Sequence, residues 1–154
     1  MIREKSKRKV FLILTILITL TIWVNSLLPA SISSTQSGFF TTMISSFLCI
    51  FSITVEANQL SLIVRKSAHF AQFFLLGIFW FQYLYSVMKN QRLIHWFAIL
   101  FCLLTAIIDE SIQLFTDGRA FQFTDVLIDL FGSTMAILAF VFTMYLIKRK
   151  GESA

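Results

Sequence analysis

Residues 93–115 read LIHWFAILFCLLTAIIDESIQLF, an apolar run interrupted by His95, Asp109, Glu110 and Gln113. A membrane span needs roughly 20 mostly apolar residues at about 1.5 Å of rise each. This run is long enough, and it carries two adjacent acids close to one end. In lipid the backbone polar groups must bond within their own segment, so the run is read as a helix. The two acids are the costly part, and an ionisable residue inside a span marks a candidate site.

Three further runs have the same character. Val10–Leu28 has no charge inside it. Ala68–Val87 is broken by His69, Gln72 and Gln82, and Val126–Ile147 follows Asp125 and contains Asp129. The expected spans are therefore about residues 10–28, 66–88, 93–115 and 124–147. Composition agrees. Of the 154 residues 57% are hydrophobic and 14% charged, against about 25% charged in an ordinary globular domain. That excludes a disordered chain. Two Cys cannot make a disulfide scaffold. The fold class is all-α: an integral membrane four-helix bundle, with residues 1–154 forming one transmembrane domain.

The first connecting segment, Pro29–Val64, carries a single charge, Glu56. Phe40, Met43, Ile44, Phe47, Leu48 and Phe51 recur within it at helical spacing, with Thr and Ser mostly between them. The pattern predicts an extra amphipathic helix, with Ser37 as N-cap and too short and polar to span. It would lie on the outer leaflet or cap the bundle. Lys89–Arg92 predicts a tight turn joining antiparallel neighbours. Trp23 and Trp96 fall near span ends, where interfacial anchors sit. Cys102, and Cys49 as well, are read as packing residues.

The bases set the orientation. Arg3, Lys5, Lys7, Arg8 and Lys9 precede the first span, Lys89 and Arg92 lie between the second and third, and Lys148, Arg149 and Lys150 follow the fourth. These are ten of the 13 bases, so both termini are expected in the cytoplasm. The net charge of +5 is then a topology signal, and no nucleic-acid partner is expected. The first span is not expected to be a cleaved signal, because Leu27 and Leu28 prolong it and no A-x-A site follows.

Depth arithmetic brings the polar residues together. Val87 to His69 covers ~27 Å, Leu93 to Asp109 ~24 Å and Ile147 to Asp129 ~27 Å. Three helices thus place polar groups at one level under the outer surface. Spacing also fixes faces: Lys66, His69 and Gln72 share one stripe, as do Asp109 and Gln113, and Asp125, Asp129, Gly132 and Ser133. Gly132 would admit a neighbouring helix closely. The short loop Thr116–Gln122 holds Arg119 above this level. With Arg65, Lys66 and Arg119 ionised against Asp109, Glu110, Asp125 and Asp129, the cluster sums to −1, or zero if His69 is protonated. Arg65 at the boundary is expected to snorkel, and Asp117 to be solvated.

The expected ligand-binding set is Lys66, His69, Asp109, Glu110, Gln113, Arg119, Asp125 and Asp129. Arg119 offers a planar fork for phosphate or carboxylate, and Lys66 a point charge. An intramembrane enzyme is the second class, with His69, Asp109 and Glu110 as catalytic candidates and His69 as general base. No Ser or Cys nucleophile stands in a recognised setting. A small transporter is the third, but the inner halves of the last two spans are almost wholly apolar and no inverted repeat occurs. A purely structural charge network is the bland alternative. No metal or other cofactor is expected; within the enzyme reading, the alternative to a His69 base is that paired carboxylates hold a Mg²⁺ against a lipid phosphate.

The assembled motifs resemble the VanZ-like family of small bacterial membrane proteins. Arg65-Lys66-Ser67-Ala68-His69-Phe70 is similar to the family's R-K-x-A-H-F. Asp109-Glu110 with Gln113 and Phe115 is similar to D-E-x-x-Q-x-F. Gly118-Arg119 followed by Asp125-Val126, Asp129 and Gly132 completes the ordered set. Two positions depart from the pattern: Gln72 and Phe73 stand where an acid and Tyr are common, and Asp117 where Pro usually precedes the G-R pair. The resemblance implies a cell-envelope role in the bacterial cytoplasmic membrane. It implies as partners membrane lipids and a lipid-linked envelope precursor or glycopeptide, with a link to tolerance of lipid-tailed glycopeptides. It implies no reaction, and the oligomeric state stays open.

Overall fold

The computed structural model describes residues 2–152, with side chains described for residues 5–151. Arg3, counted above among the orienting bases, lies outside the described side chains. Five helices follow in order: α1 (Ile2–Ser26), α2 (Ala30–Ile50), α3 (Ala57–Val87), α4 (Gln91–Leu114) and α5 (Phe123–Glu152). Four of them, α1, α3, α4 and α5, are long and apolar enough to cross a membrane. The chain is an all-helical membrane protein, as the hydropathy pattern predicts.

Each helix starts and stops for local reasons. α1 ends where Pro29 disfavours helical geometry in the preceding residue. Pro29 then serves as N-cap of α2. Asn90 caps α4 by accepting a hydrogen bond from the Arg92 backbone N–H at 3.1 Å. At the end of α2, Ser52 adopts a left-handed φ of 57°. Its N–H donates to the Cys49 carbonyl and that of Ile53 to Leu48, which closes the last turn. Within the spans, Thr15, Thr105 and Thr143 each donate to the carbonyl four residues back. This satisfies their hydroxyls inside the helix, as an apolar medium requires.

Several boundaries differ from the sequence expectation, α5 among them, which runs on to Glu152. α2 begins at Ala30, so Ser37 is no N-cap; its hydroxyl donates to the Ser34 carbonyl. At 21 residues α2 is not short either, and polarity alone keeps it out of the spanning set. Ser34, Thr35, Ser37, Thr41 and Thr42 each donate to a carbonyl three or four residues back, so their hydroxyls are satisfied within the helix. The second span begins at Ala57 rather than near residue 66. α2 packs on α3 there, and Leu60 in its first turns is buried. The resulting 31 residues extend ~46 Å, longer than the hydrocarbon core. Helix α1 is likewise helical from Ile2, ahead of its apolar run.

α3 is the hub and contacts each of the other four helices. Its closest partner is α5. A Cβ added to Gly132 would lie 2.6 Å from the Phe70 carbonyl oxygen, and one added to Gly77 would lie 2.7 Å from that of Ser133. Gly132 therefore admits a neighbouring helix as its sequence context predicts, and Gly77 does so from the other side. Two buried apolar clusters pack around and beyond this crossing. Phe73, Leu76, Cys102 and Ala106 form one cluster with Ile22 and Val126. Phe81, Leu84, Ile94, Ala98 and Ile137 form a second. Cys102 is a packing residue, whereas Cys49 is exposed. Trp23, near the end of α1, packs partly buried on the first cluster, and Trp96 is exposed.

Candidate functional site

The tight α3–α5 crossing places His69, one residue before Phe70, beside Asp129, three residues before Gly132. Their side chains meet at 3.3 Å between His69 Nδ1 and Asp129 Oδ1. That contact has ion-pair distance without hydrogen-bond geometry, and both Asp129 oxygens lack a hydrogen-bond partner. Asp129 is fully buried.

α4 presents the adjacent acids to the same region. Asp109 accepts hydrogen bonds from the Ser26 hydroxyl and from Gln113 Nε2, the latter at 3.2 Å. Glu110 accepts from Gln113 Nε2 at 3.0 Å and from the Gln122 backbone N–H at 2.8 Å. It thereby ties the start of α5 to α4. Gln113 is fully buried between the two acids, and its Oε1 accepts from Arg65 Nη2 at 3.3 Å. The i, i+3 and i, i+4 spacing of Asp109, Glu110 and Gln113 makes this arrangement possible on one helix face.

One layer outward, Asp125 is buried and holds two bases. Lys66 Nζ donates to its Oδ1 at 2.6 Å, and Arg65 Nη2 lies 3.7 Å from its Oδ2. Arg65 therefore does more than snorkel, since it bridges Asp125 and Gln113. Above them runs the loop Phe115–Gln122. The Arg119 N–H donates to the Thr116 carbonyl at 3.1 Å, and Gly118 between them takes a left-handed φ of 72°. Glycine adopts that conformation without the Cβ penalty, so the turn projects Arg119 inward. The exposed Asp117 uses its carbonyl to accept from the Ala30 N–H, which joins this loop to α2.

These elements enclose a cavity of about 150 Å³. Of the expected binding residues, His69, Asp109 and Arg119 line it. Glu110, Gln113, Asp125 and Asp129 are buried and do not line it, and Lys66 is engaged with Asp125. Arg65 and Gln72 also face the cavity, as do Ser26, Gln36 and Phe40. The sequence offered some signal for Ser26: Asn25 and Ser26 are polar residues close to the outer end of the first span. For Gln36 in α2 the signal was the resemblance of Ser34, Gln36 and Ser37 to the family's Ser/Gln-rich segment after the first span, while its place in the cavity wall depends on how α2 folds over the bundle.

Arg119 is the electrostatic outlier. Its Nε is buried without a hydrogen-bond partner. Burial lowers its pKa from the ordinary value, and the neighbouring Arg65 charge adds to the effect, while Asp109 and Glu110 oppose it. Two guanidinium groups therefore share one small cavity.

A family model described as VanZ/LLP1 matches residues 11–146. Comparison with curated proteins and with solved structures finds no match.

Proposed function

The chain belongs to the VanZ/LLP1 family of membrane proteins, and from that premise we propose that its polar cavity binds an anionic envelope headgroup at the outer leaflet. The carrying observation is that Arg119 and Arg65 both line the cavity, with the Arg119 Nε buried and unpartnered. Two like charges held together favour an anion between them, and a guanidinium fork suits phosphate or carboxylate. The volume suits a headgroup rather than a whole lipid. Phe40 and the exposed Phe39 of α2 offer an apolar surface for the attached chain. Asp109 and Gln72 would meet hydroxyl or amine groups beside the anion.

This reading extends to tolerance of lipid-tailed glycopeptides. The test is drug susceptibility of a deletion strain complemented by wild type, Lys66→Ala, His69→Ala, Glu110→Ala or Arg119→Glu, with membrane abundance measured for each. Arg119→Glu is expected to abolish complementation at normal abundance. Full complementation by every abundant variant would reduce the cluster to helix-packing electrostatics.

The location is the bacterial cytoplasmic membrane with both termini inside, following the distribution of bases. A Cys at position 117 is then expected to react with an impermeant thiol reagent in intact cells, and a Cys at position 91 is not. Both are to be read in a background in which the exposed Cys49 is replaced. External labelling at position 91 would reverse the orientation.

A second reading has its own observation: His69 stands against Asp129 within reach of Asp109 and Glu110. A carboxylate-oriented imidazole is a general-base arrangement. Turnover of an undecaprenyl-linked substrate by purified protein, lost in His69→Ala, would favour an intramembrane enzyme over a binding protein.

A further inference from the structure

We propose that His69, Asp109 and Glu110 bind a divalent transition-metal ion of the zinc class, with Asp129 holding the His69 ring from behind. The site stands on its own geometry and does not depend on the headgroup reading.

The first ground is placement. One ligand atom from each of His69, Asp109 and Glu110 lies within 4.8 Å of the other two. Ligands around a tetrahedral zinc at about 2.0–2.2 Å sit roughly 3.3 Å apart. Side-chain adjustments of about an ångström would therefore close the site. The three residues come from two helices fixed by packing and by the hydrogen bonds to Ser26, Gln113 and Gln122. Each carboxylate oxygen so engaged retains a second lone pair for a metal.

The second ground is Asp129. It is fully buried, neither oxygen has a hydrogen-bond partner, and it faces His69 Nδ1 at 3.3 Å. An imidazole whose Nδ1 faces a carboxylate presents Nε2 on its other edge. This is the carboxylate–histidine–metal relay by which proteins fix the tautomer of a metal-bound His. A fully buried carboxylate with no donor of its own is otherwise costly and unexplained.

The third ground is charge. Among the described residues no Lys or Arg forms an ion pair with Asp109, Glu110 or Asp129. The two nearest bases on α3, Arg65 and Lys66, are engaged with Asp125. Arg119 acts on Asp109 and Glu110 only at longer range. A divalent cation would compensate the deepest layer directly. An imidazole with two carboxylates favours zinc-class ions over magnesium, which prefers an all-oxygen octahedron. Three protein ligands leave a tetrahedral ion one open position. His69 and Asp109 also line the cavity, so that position would lie next to it.

The test uses the full chain purified in detergent with its affinity tag removed, stripped with chelator and dialysed against Zn²⁺ or Co²⁺. Elemental analysis of the wild type is expected to give about one ion per chain. The Co²⁺ form is expected to show visible d–d absorption. His69→Ala should lose both, and Asp129→Asn should weaken binding by about 10- to 100-fold. His95→Ala, which changes the only other histidine, should change neither. Wild-type protein that retains no ion overturns the proposal without reference to any variant. So does a monodisperse His69→Ala protein that binds as the wild type does.

Discussion

Gly132→Val is expected to remove most of the folded protein from the membrane. A Cβ at this position would lie 2.6 Å from the Phe70 carbonyl oxygen and 3.3 Å from its carbonyl carbon. The obstacle is backbone, so no rotamer change relieves it, and α3 and α5 must separate. Overpacking by a single group typically costs about 1–3 kcal/mol. Gly132→Ala should fall in that range, and Val, with two further methyl groups, beyond it. Total stabilities of about 5–15 kcal/mol leave little margin for such a change. The same crossing sets the His69–Asp129 contact, so the polar site is lost together with the fold. Thermal unfolding in detergent, together with membrane abundance, measures the effect. Gly38→Ala is the control. Nothing lies within 4 Å of a Cβ there, and Gly-to-Ala inside a helix is worth roughly 0.5–1 kcal/mol of stabilisation. Equal stability of Gly132→Val and Gly38→Ala would show that the crossing is not close-packed.

The second large effect is an asymmetry between the partners of one ion pair. Lys66→Ala is expected to destabilise the protein by about 1–3 kcal/mol, and Asp125→Asn by under about 1 kcal/mol. The reason lies in what each change leaves behind. The Asp125 side chain is 2% exposed, while those of Arg65 and Lys66 are 30% and 38% exposed. Removing Lys66 strands a buried carboxylate on a single, more distant base at 3.7 Å. Removing the carboxylate charge leaves two half-exposed bases that can turn towards water. Denaturant or thermal titration of the two variants decides the matter. If Asp125→Asn proved the more costly, Asp125 would be acting through contacts other than these bases.

Much of this architecture was legible before any coordinates. Four runs of sufficient length and apolarity fix four spans, and the acids inside them stand at a common depth by simple rise per residue. The face shared by Asp109, Glu110 and Gln113 follows from their spacing, and they do converge on one another. The start of α3 was not legible, since Ala57–Val64 contains Asn58, Gln59 and Ser61 and becomes helical in company with α2. Nor was the full length of α2. Its hydroxyl residues look like loop formers in sequence, whereas in the structure they donate to carbonyls three and four residues back and so are satisfied inside the helix.

The sequence by itself therefore determined the class of molecule, the number of spans and the level of the polar layer. These depend on one-dimensional quantities, length, hydropathy and period. Tertiary structure decided which groups pair. It assigned Lys66 to Asp125, set Asp129 against His69, brought Arg65 and Arg119 to one cavity, and recruited Ser26 and Gln36 to it. Those outcomes depend on the rotation of each helix about its axis. Close packing at Gly77 and Gly132 sets the registry of α3 against α5, and the period of a single helix carries no information about its neighbour.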